Sequence, residues 1–208
     1  AKPIRVLDQD FVLFRDERGR HGLLDRDCPH RGADLAFGRL EDGGLRCLFH
    51  GWLFDVDGKC LETPAEPEGS ALCQRVRQKS YPVVVKNGIV FAYLGEGEPP
   101  AFPDFDCFLA PGTHAFAFKG LIECNWLQAL EGDIDTSHFG FLHVGSVKPD
   151  NVPDGHPIHG TVSDRAPQYL VRERDYGTQY AAYRPDEDGR RTYWRFNNFM
   201  FPFWTQTP

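Results

Sequence analysis

Two short segments carry paired metal donors. Cys28-Pro29-His30-Arg31-Gly32 offers a C-x-H pair and, with 16 residues between His30 and Cys47, Cys47-Leu48-Phe49-His50-Gly51-Trp52 offers a C-x-x-H pair. Thiolates and imidazoles bind zinc and iron, and two rigid loops that each present a pair bring four ligands together cheaply. In zinc fingers the close pairs usually repeat one ligand type, whereas here each loop holds one Cys and one His. That asymmetry suits a [2Fe-2S] centre in which one iron takes both thiolates and the other both imidazoles. A second set, Asp135, His138 and His143, follows the pattern D-x-x-H-x4-H. Positions i and i+5 lie ~140° apart around an ideal helix, so the two histidines converge only if the helix ends or bulges near Gly140. Asp135, three residues before His138, shares its helical face and is placed to hold that imidazole in one tautomer. Cys60, Cys73, Cys107 and Cys124 show no ligand spacing and read as small buried hydrophobes.

The elements that must position these residues are short strands in the first half. Ile4 to Leu7, Phe11 to Arg15 and His21 to Asp25 are β-rich, with Asp16 to Gly19 as a hairpin turn. Leu45 to Leu48, Leu53 to Val56, Tyr81 to Lys86 and Ile89 to Leu94 follow, with Asp57-Gly58 and Asn87-Gly88 as turn dipeptides. A Pro- and Gly-rich stretch at about 95–113 reads as a linker. Ala115 to Glu123 reads as a strand, and Asn125 caps a helix carrying Trp126, Leu127, Leu130 and Ile134. Runs at Tyr169 to Arg172, Thr178 to Tyr183 and Thr192 to Phe203 predict a second sheet. The fold class is α+β: an antiparallel β-domain over 1–100, then over 101–208 the first part of a helix-plus-antiparallel-sheet domain.

Composition bounds the function. The 208 residues include 41% hydrophobic, 13% aromatic and 25% charged residues, enough for a buried core. A net charge of -7 without a basic cluster argues against nucleic acid. No apolar run approaches the ~20 residues of a membrane helix, and no secretory signal opens the chain, so a cytoplasmic location is expected. Six irregularly spaced cysteines do not make a disulfide scaffold.

CPHRG and CLFHGW resemble the two cluster-binding loops of the Rieske proteins. By that resemblance Cys28, His30, Cys47 and His50 bind the [2Fe-2S] cluster. High-potential members are similar to one another in an extra Cys in each loop; Ala33 and Phe49 stand at those positions here, so no disulfide covers the cluster. Trp52 and Phe54 replace hydroxyl side chains, and fewer donors to the sulfides imply a potential near the low end of the range, about -150 mV. D-x-x-H-x4-H about a hundred residues later resembles the mononuclear site of the Rieske non-haem iron oxygenases. The resemblance makes His138 and His143 two arms of a 2-His-1-carboxylate Fe(II) site, with Asp135 bridging to the Rieske histidine of a neighbouring subunit. The family's third ligand is an Asp on a late helix, and none of Asp150, Asp154, Asp164, Asp175, Asp186 or Asp188 has a matching context. It is expected outside the given sequence, which starts at Ala1 and ends 65 residues after His143, as is the segment that usually precedes the Rieske strands.

Within the family the loops and NWLQALEGDIDTSHFGFLH most resemble the phthalate and phenoxybenzoate dioxygenase branch. That likeness implies an α-subunit homotrimer or stacked homohexamer, electrons from NADH through a flavin and iron-sulfur reductase, and dioxygenation of an aromatic, carboxylated substrate. Arg165 and Arg195 are weak candidates for the carboxylate partner. Glu131, His156 and His159 read as packing, capping or loop residues. Oxidative O-demethylation of a methoxyaromatic uses the same ligands. A rival of another class is a Rieske electron carrier without mononuclear iron.

Overall fold

The computed structural model describes residues 1–153, 155, 156, 158–185 and 189–207, so Asp154, Asp186 and Asp188 lie outside the described residues. The chain divides into two compact units, Ala1–Lys119 and Gly120–Pro208.

In the first unit, β1 (Lys2–Val6), β2 (Gln9–Arg15) and β3 (His21–Asp25) make an antiparallel meander. Buried Asp16 builds the β2–β3 turn, its carboxylate accepting from the Arg18 and Arg20 amides and from Arg20 Nε. Alternation along the strands splits the apolar residues between two faces. Phe11 and Leu23 pack with Tyr81, whereas Val12, Phe14 and Leu24 enter the larger core. A second antiparallel sheet runs in order through β4 (Arg39–Glu41), β5 (Gly44–Arg46), β6 (Leu53–Phe54) and β7 (Cys60–Glu62). Leu35, Leu45, Trp52 and Phe54 join that larger core around Cys28 and Cys47. Each large side chain fully buried there contributes ~1.5–3 kcal/mol. After α1 (Leu72–Arg75), β8 (Ser80–Tyr81) returns to pair with β3. β9 (Val83–Lys86) and β10 (Ile89–Ala92) form the expected hairpin, with Asn87 and Gly88 both at positive φ.

The expected linker holds one turn of helix, α2 (Asp106–Leu109). The expected strand at 115–123 does not form. No neighbouring strand takes up its backbone groups, a lone strand is not stable in water, and Phe116 and Phe118 stand 88% and 86% exposed.

In the second unit α3 (Trp126–Ile134) starts as expected, Asn125 Oδ1 accepting from the Leu127 amide at 2.9 Å. It stops earlier than expected, with Asp135 as an extended C-cap residue, so Asp135 and His138 do not share a helical face. A 3-10 turn, His138–Gly140, follows. After α4 (His159–Ser163), β11 (Gln168–Arg174), β12 (Gly177–Pro185), β13 (Thr192–Met200) and β14 (Trp204–Gln206) make an antiparallel sheet in sequence order. The run expected over 192–203 is broken at 201–203 by a turn into β14. Val144, Val152 and Val162 form a small core under α4 with Phe139, Val147 and Ile158. The architecture is the expected α+β arrangement, and no described helix is long and apolar enough to cross a membrane.

Candidate metal centres

The two cysteine loops close by the same backbone device. The Cys28 amide donates to Ala33 O and the Gly32 amide to Cys28 O; the Cys47 amide donates to Trp52 O and the Gly51 amide to Cys47 O. In both, a glycine four residues after the cysteine takes positive φ, 67° at Gly32 and 73° at Gly51, where a side chain would be strained. A Cβ on Gly51 would also lie 2.7 Å from Pro64. These turns face Cys28 and Cys47 toward each other in the core. Burial pushes the Cys28 thiol up to about 11, the Cys47 thiol beside it adds to this, and the His30 and Arg31 amides oppose it. The His30 and His50 rings meet at 4.4 Å, and His30 stacks on Trp52 at 4.5 Å.

His30 Nδ1 is buried and bonded to no protein group. A ring nitrogen held from water without a partner, beside two facing thiols and a second imidazole, fits the donor set of a [2Fe-2S] group with mixed ligands. Residues that the motif does not flag hold the loops. Buried Arg46 donates to Gly51 O and Glu62 at 2.8 Å and to Asp42 at 3.0 Å, and also meets Glu41. Gln78 Nε2 donates to Asp25 O and Asp27 O ahead of the first loop. Asp34 accepts from Arg26 and from the Ala36 amide after it. The other cysteines stay free thiols; burial and the Cys73 thiol push Cys60 up to about 12.

The second set is positioned differently. Asp135 Oδ1 accepts from the Ser137 amide at 2.7 Å and Oδ2 from the His138 amide at 2.9 Å. Oδ2 also meets His138 Nδ1 at 3.1 Å. Burial raises the Asp135 carboxyl, but these hydrogen bonds outweigh it and hold the group below its ordinary value. With the proton on Nδ1, His138 keeps a lone pair on Nε2, and His143 Nε2 lies 3.2 Å from it. Two imidazole ligands of one ion, at bonds of ~2.1 Å and near a right angle, stand about 3 Å apart, so the pair fits a shared metal. Asp135 sits behind His138 rather than beside the shared point. Among the described residues, no three or more His, Cys, Asp or Glu side chains converge on a single ion, either here or at the two cysteine loops, whose donors would serve a two-iron group as one thiolate pair and one imidazole pair.

The sheet anchors this turn. Tyr169 Oη lies 2.8 Å from Thr136 Oγ1 and 2.7 Å from Ser137 Oγ, and Tyr180 Oη donates to Ile134 O. Burial pushes the Tyr180 phenol up to about 12, keeping it a donor. Arg195 lies 4.7 Å over the Phe139 ring, whereas Arg165 donates to Gly145 O and Val147 O and lies 5.5 Å over Phe141. His156 and His159 bond locally to the Ile158 amide and the Ser163 hydroxyl, and Glu131 meets Gln128 one turn back on α3.

An antiparallel unit with two mixed Cys/His loops is thus followed by a helix, a 3-10 turn whose two imidazoles face each other, and a second antiparallel sheet. Residues 1–84 match the Rieske [2Fe-2S] domain family, and residues 92–208 match the family described as LigXa C-terminal domain like. The oxygenase subunit of 3-chlorobenzoate-3,4-dioxygenase from Comamonas testosteroni is 44% identical over 100% of this chain and 48% of its own length. The oxygenase subunit of a tert-butanol monooxygenase and tert-amyl alcohol desaturase from Aquincola tertiaricarbonis is 49% identical over 68% of this chain and 31% of its own. Dicamba monooxygenase bound to dicamba shares the fold, with a TM-score of 0.67 at 24% identity over 97% of this chain and 60% of that one. The chain belongs to the Rieske oxygenase subunits, a family that includes phthalate and phenoxybenzoate dioxygenases, and it spans about half or less of the length of the curated relatives it matches in sequence.

Proposed function

We propose that this chain is the metal-bearing part of a cytoplasmic oxygenase component that uses O2 and reductase-delivered electrons to dioxygenate an aromatic carboxylate. Residues 1–100 serve as the Rieske domain and 101–208 as the first portion of the catalytic domain. Cys28, Cys47, His30 and His50 hold the [2Fe-2S] cluster, and His138 and His143 are two ligands of the mononuclear iron. The observation that carries this reading is the presence in one chain of two donor sets: buried, unpartnered His30 Nδ1 beside the facing thiols, and two Nε2 atoms 3.2 Å apart. When bound, the cluster supplies one-electron transfer and the iron supplies oxygen activation.

The chain's own residues prepare for this. Asp135 accepts a hydrogen bond from His138 Nδ1–H and leaves Nε2 free to bind metal. Its ionised carboxylate also links the mononuclear site to the Rieske histidine, His50, of a neighbouring protomer in a homotrimer or stacked homohexamer. Arg195, over the Phe139 ring, and Arg165, which donates to Gly145 O and Val147 O, both stand beside the turn between the two histidines and are the candidates for a substrate carboxylate. The NADH-dependent flavin and iron-sulfur reductase follows from the same reading, and the four thiols outside the cluster loops suit a reducing compartment. The chlorobenzoate in one relative's name supports an aromatic carboxylate.

The test is turnover of the holoprotein with its reductase and NADH. A chlorobenzoate, a methoxybenzoate and a tertiary alcohol serve as probes. Ring dihydroxylation of the chlorobenzoate, abolished in His138→Ala while the cluster's absorption persists, is the expected result. Formaldehyde from the methoxybenzoate alone would favour O-demethylation, and oxidation of the tertiary alcohol alone would overturn the aromatic assignment. Full reductase-dependent electron transfer in His138→Ala, with no product from the wild type, would favour the carrier.

A further inference from the structure

We propose that Cys60 and Cys73 form a dithiol–disulfide modification site in the Rieske unit, closed by a small hydroperoxide and reopened by a thiol reductant. The two Sγ atoms lie 3.6 Å apart, and the Cys73 thiol also reaches Cys60 O at 3.3 Å. Both are free thiols, and neither belongs to the C-x-H or C-x-x-H loops. Bond formation needs the sulfurs to approach from 3.6 Å to ~2.05 Å.

Their surroundings assign the order of events. Cys60 opens β7 and is 2% exposed, whereas Cys73, in α1, is part-exposed and can be reached by a small oxidant. Cys73, as its thiolate, attacks one peroxide oxygen, the O–O bond breaks, and the thiol's proton joins the departing hydroxide, giving Cys73 Sγ–OH and water. Cys60 Sγ then displaces that hydroxyl, its own proton leaving with it as a second water while the Sγ–Sγ bond forms. The two thiols lose two electrons and two protons, and hydrogen peroxide takes them up to become two waters. Cys60 lies in the same core as Cys28 and Cys47, and Leu72, Cys73 and Val76 pack against that core. A closed bond therefore ties α1 to β7 over the region that carries the cluster loops.

The experiment uses holoprotein exposed to hydrogen peroxide, quenched with catalase, denatured and alkylated anaerobically, and digested without reductant. The expected result is a Cys60–Cys73 linked peptide in most chains, with Cys107 and Cys124 alkylated, the visible cluster absorption retained and the link removed by dithiothreitol. Cys73→Ser loses the linked peptide entirely, and Cys60→Ala serves as a second variant should Cys73→Ser fold poorly. Alkylation of both Cys60 and Cys73 after treatment would overturn the proposal. So would sulfinic acid at Cys73 beside an alkylated Cys60, or a link found only in protein that has lost its cluster.

Discussion

In the first unit one donor pair sits on the loop joining paired strands β5 and β6 and the other on a loop after β3 bracketed by an Asp27–Asp34 bridge, and each loop is closed by the same two backbone hydrogen bonds before any metal is considered. Cys28, Cys47 and Trp52 belong to the core itself. In the second unit His138 and His143 lie on a 3-10 turn and the irregular chain after it, with a small core of three valines nearby. Their geometry depends on side chains: Asp135 on the His138 amide and ring, Tyr169 on Thr136 and Ser137, and Tyr180 on Ile134 O. The difference teaches how much each centre owes to packing and how much to a few polar contacts. Four mixed ligands around two irons need a frame that is already set. An iron site that keeps open positions tolerates a looser one.

The largest expected effect separates the two frames. Cys47→Ser removes one sulfur ligand from the core, and loss of the visible absorption and acid-labile sulfide is expected while Co(II) still binds at the histidine pair; spectroscopic titration checks both. Arg46→Met comes next. It leaves half-buried Glu41 and exposed Asp42 and Glu62 without their shared cation beside Gly51, and because water screens these carboxylates the cost is about 2 kcal/mol rather than that of a fully buried pair. Chemical denaturation monitored by cluster absorption measures it, and the histidine pair should keep its metal affinity.

Tyr169→Phe acts on the other side of the comparison. Removing one hydroxyl frees Thr136 and Ser137, and a loss of about tenfold in Co(II) or Fe(II) affinity is expected with the cluster spectrum unchanged. An unchanged affinity would mean that the turn holds itself. The smallest effect is acid sensitivity. The hydrogen bond from Arg26, aided by the Ala36 amide and opposed by burial, holds Asp34 below its ordinary value. Its folded pKa is thus below the unfolded one, so its stabilisation is complete above about pH 4 and is lost as pH falls through the folded value. Asp34→Asn should flatten the acid limb of a stability-against-pH curve for the first unit.

The two donor sets were legible because ligand type and spacing are local properties: C-x-H, C-x-x-H and D-x-x-H-x4-H stand in the sequence whatever the fold. The β2–β3 turn at Asp16 and the Asn125 cap were legible for the same reason, since each side chain satisfies amides within four residues of itself. The end of α3 was harder to read. Asp135-Thr136-Ser137 competes with the helix by bonding its own backbone, and that contest is decided by Tyr169 and Tyr180 from strands far along the chain. The segment 115–123 has strand composition and no strand beside it. Arg46 was invisible as an anchor because Glu41, Asp42 and Glu62 meet it only once β4 to β7 are assembled.

The central claim is that one chain carries two different iron centres. The most direct measurement is the iron, zinc and acid-labile sulfide content of anaerobically purified holoprotein, compared with that of His138→Ala. The account predicts three irons and two sulfides per chain, falling to two irons and two sulfides in the variant. Zinc without sulfide would contradict the cluster assignment, and an iron content unchanged by His138→Ala would contradict the second centre.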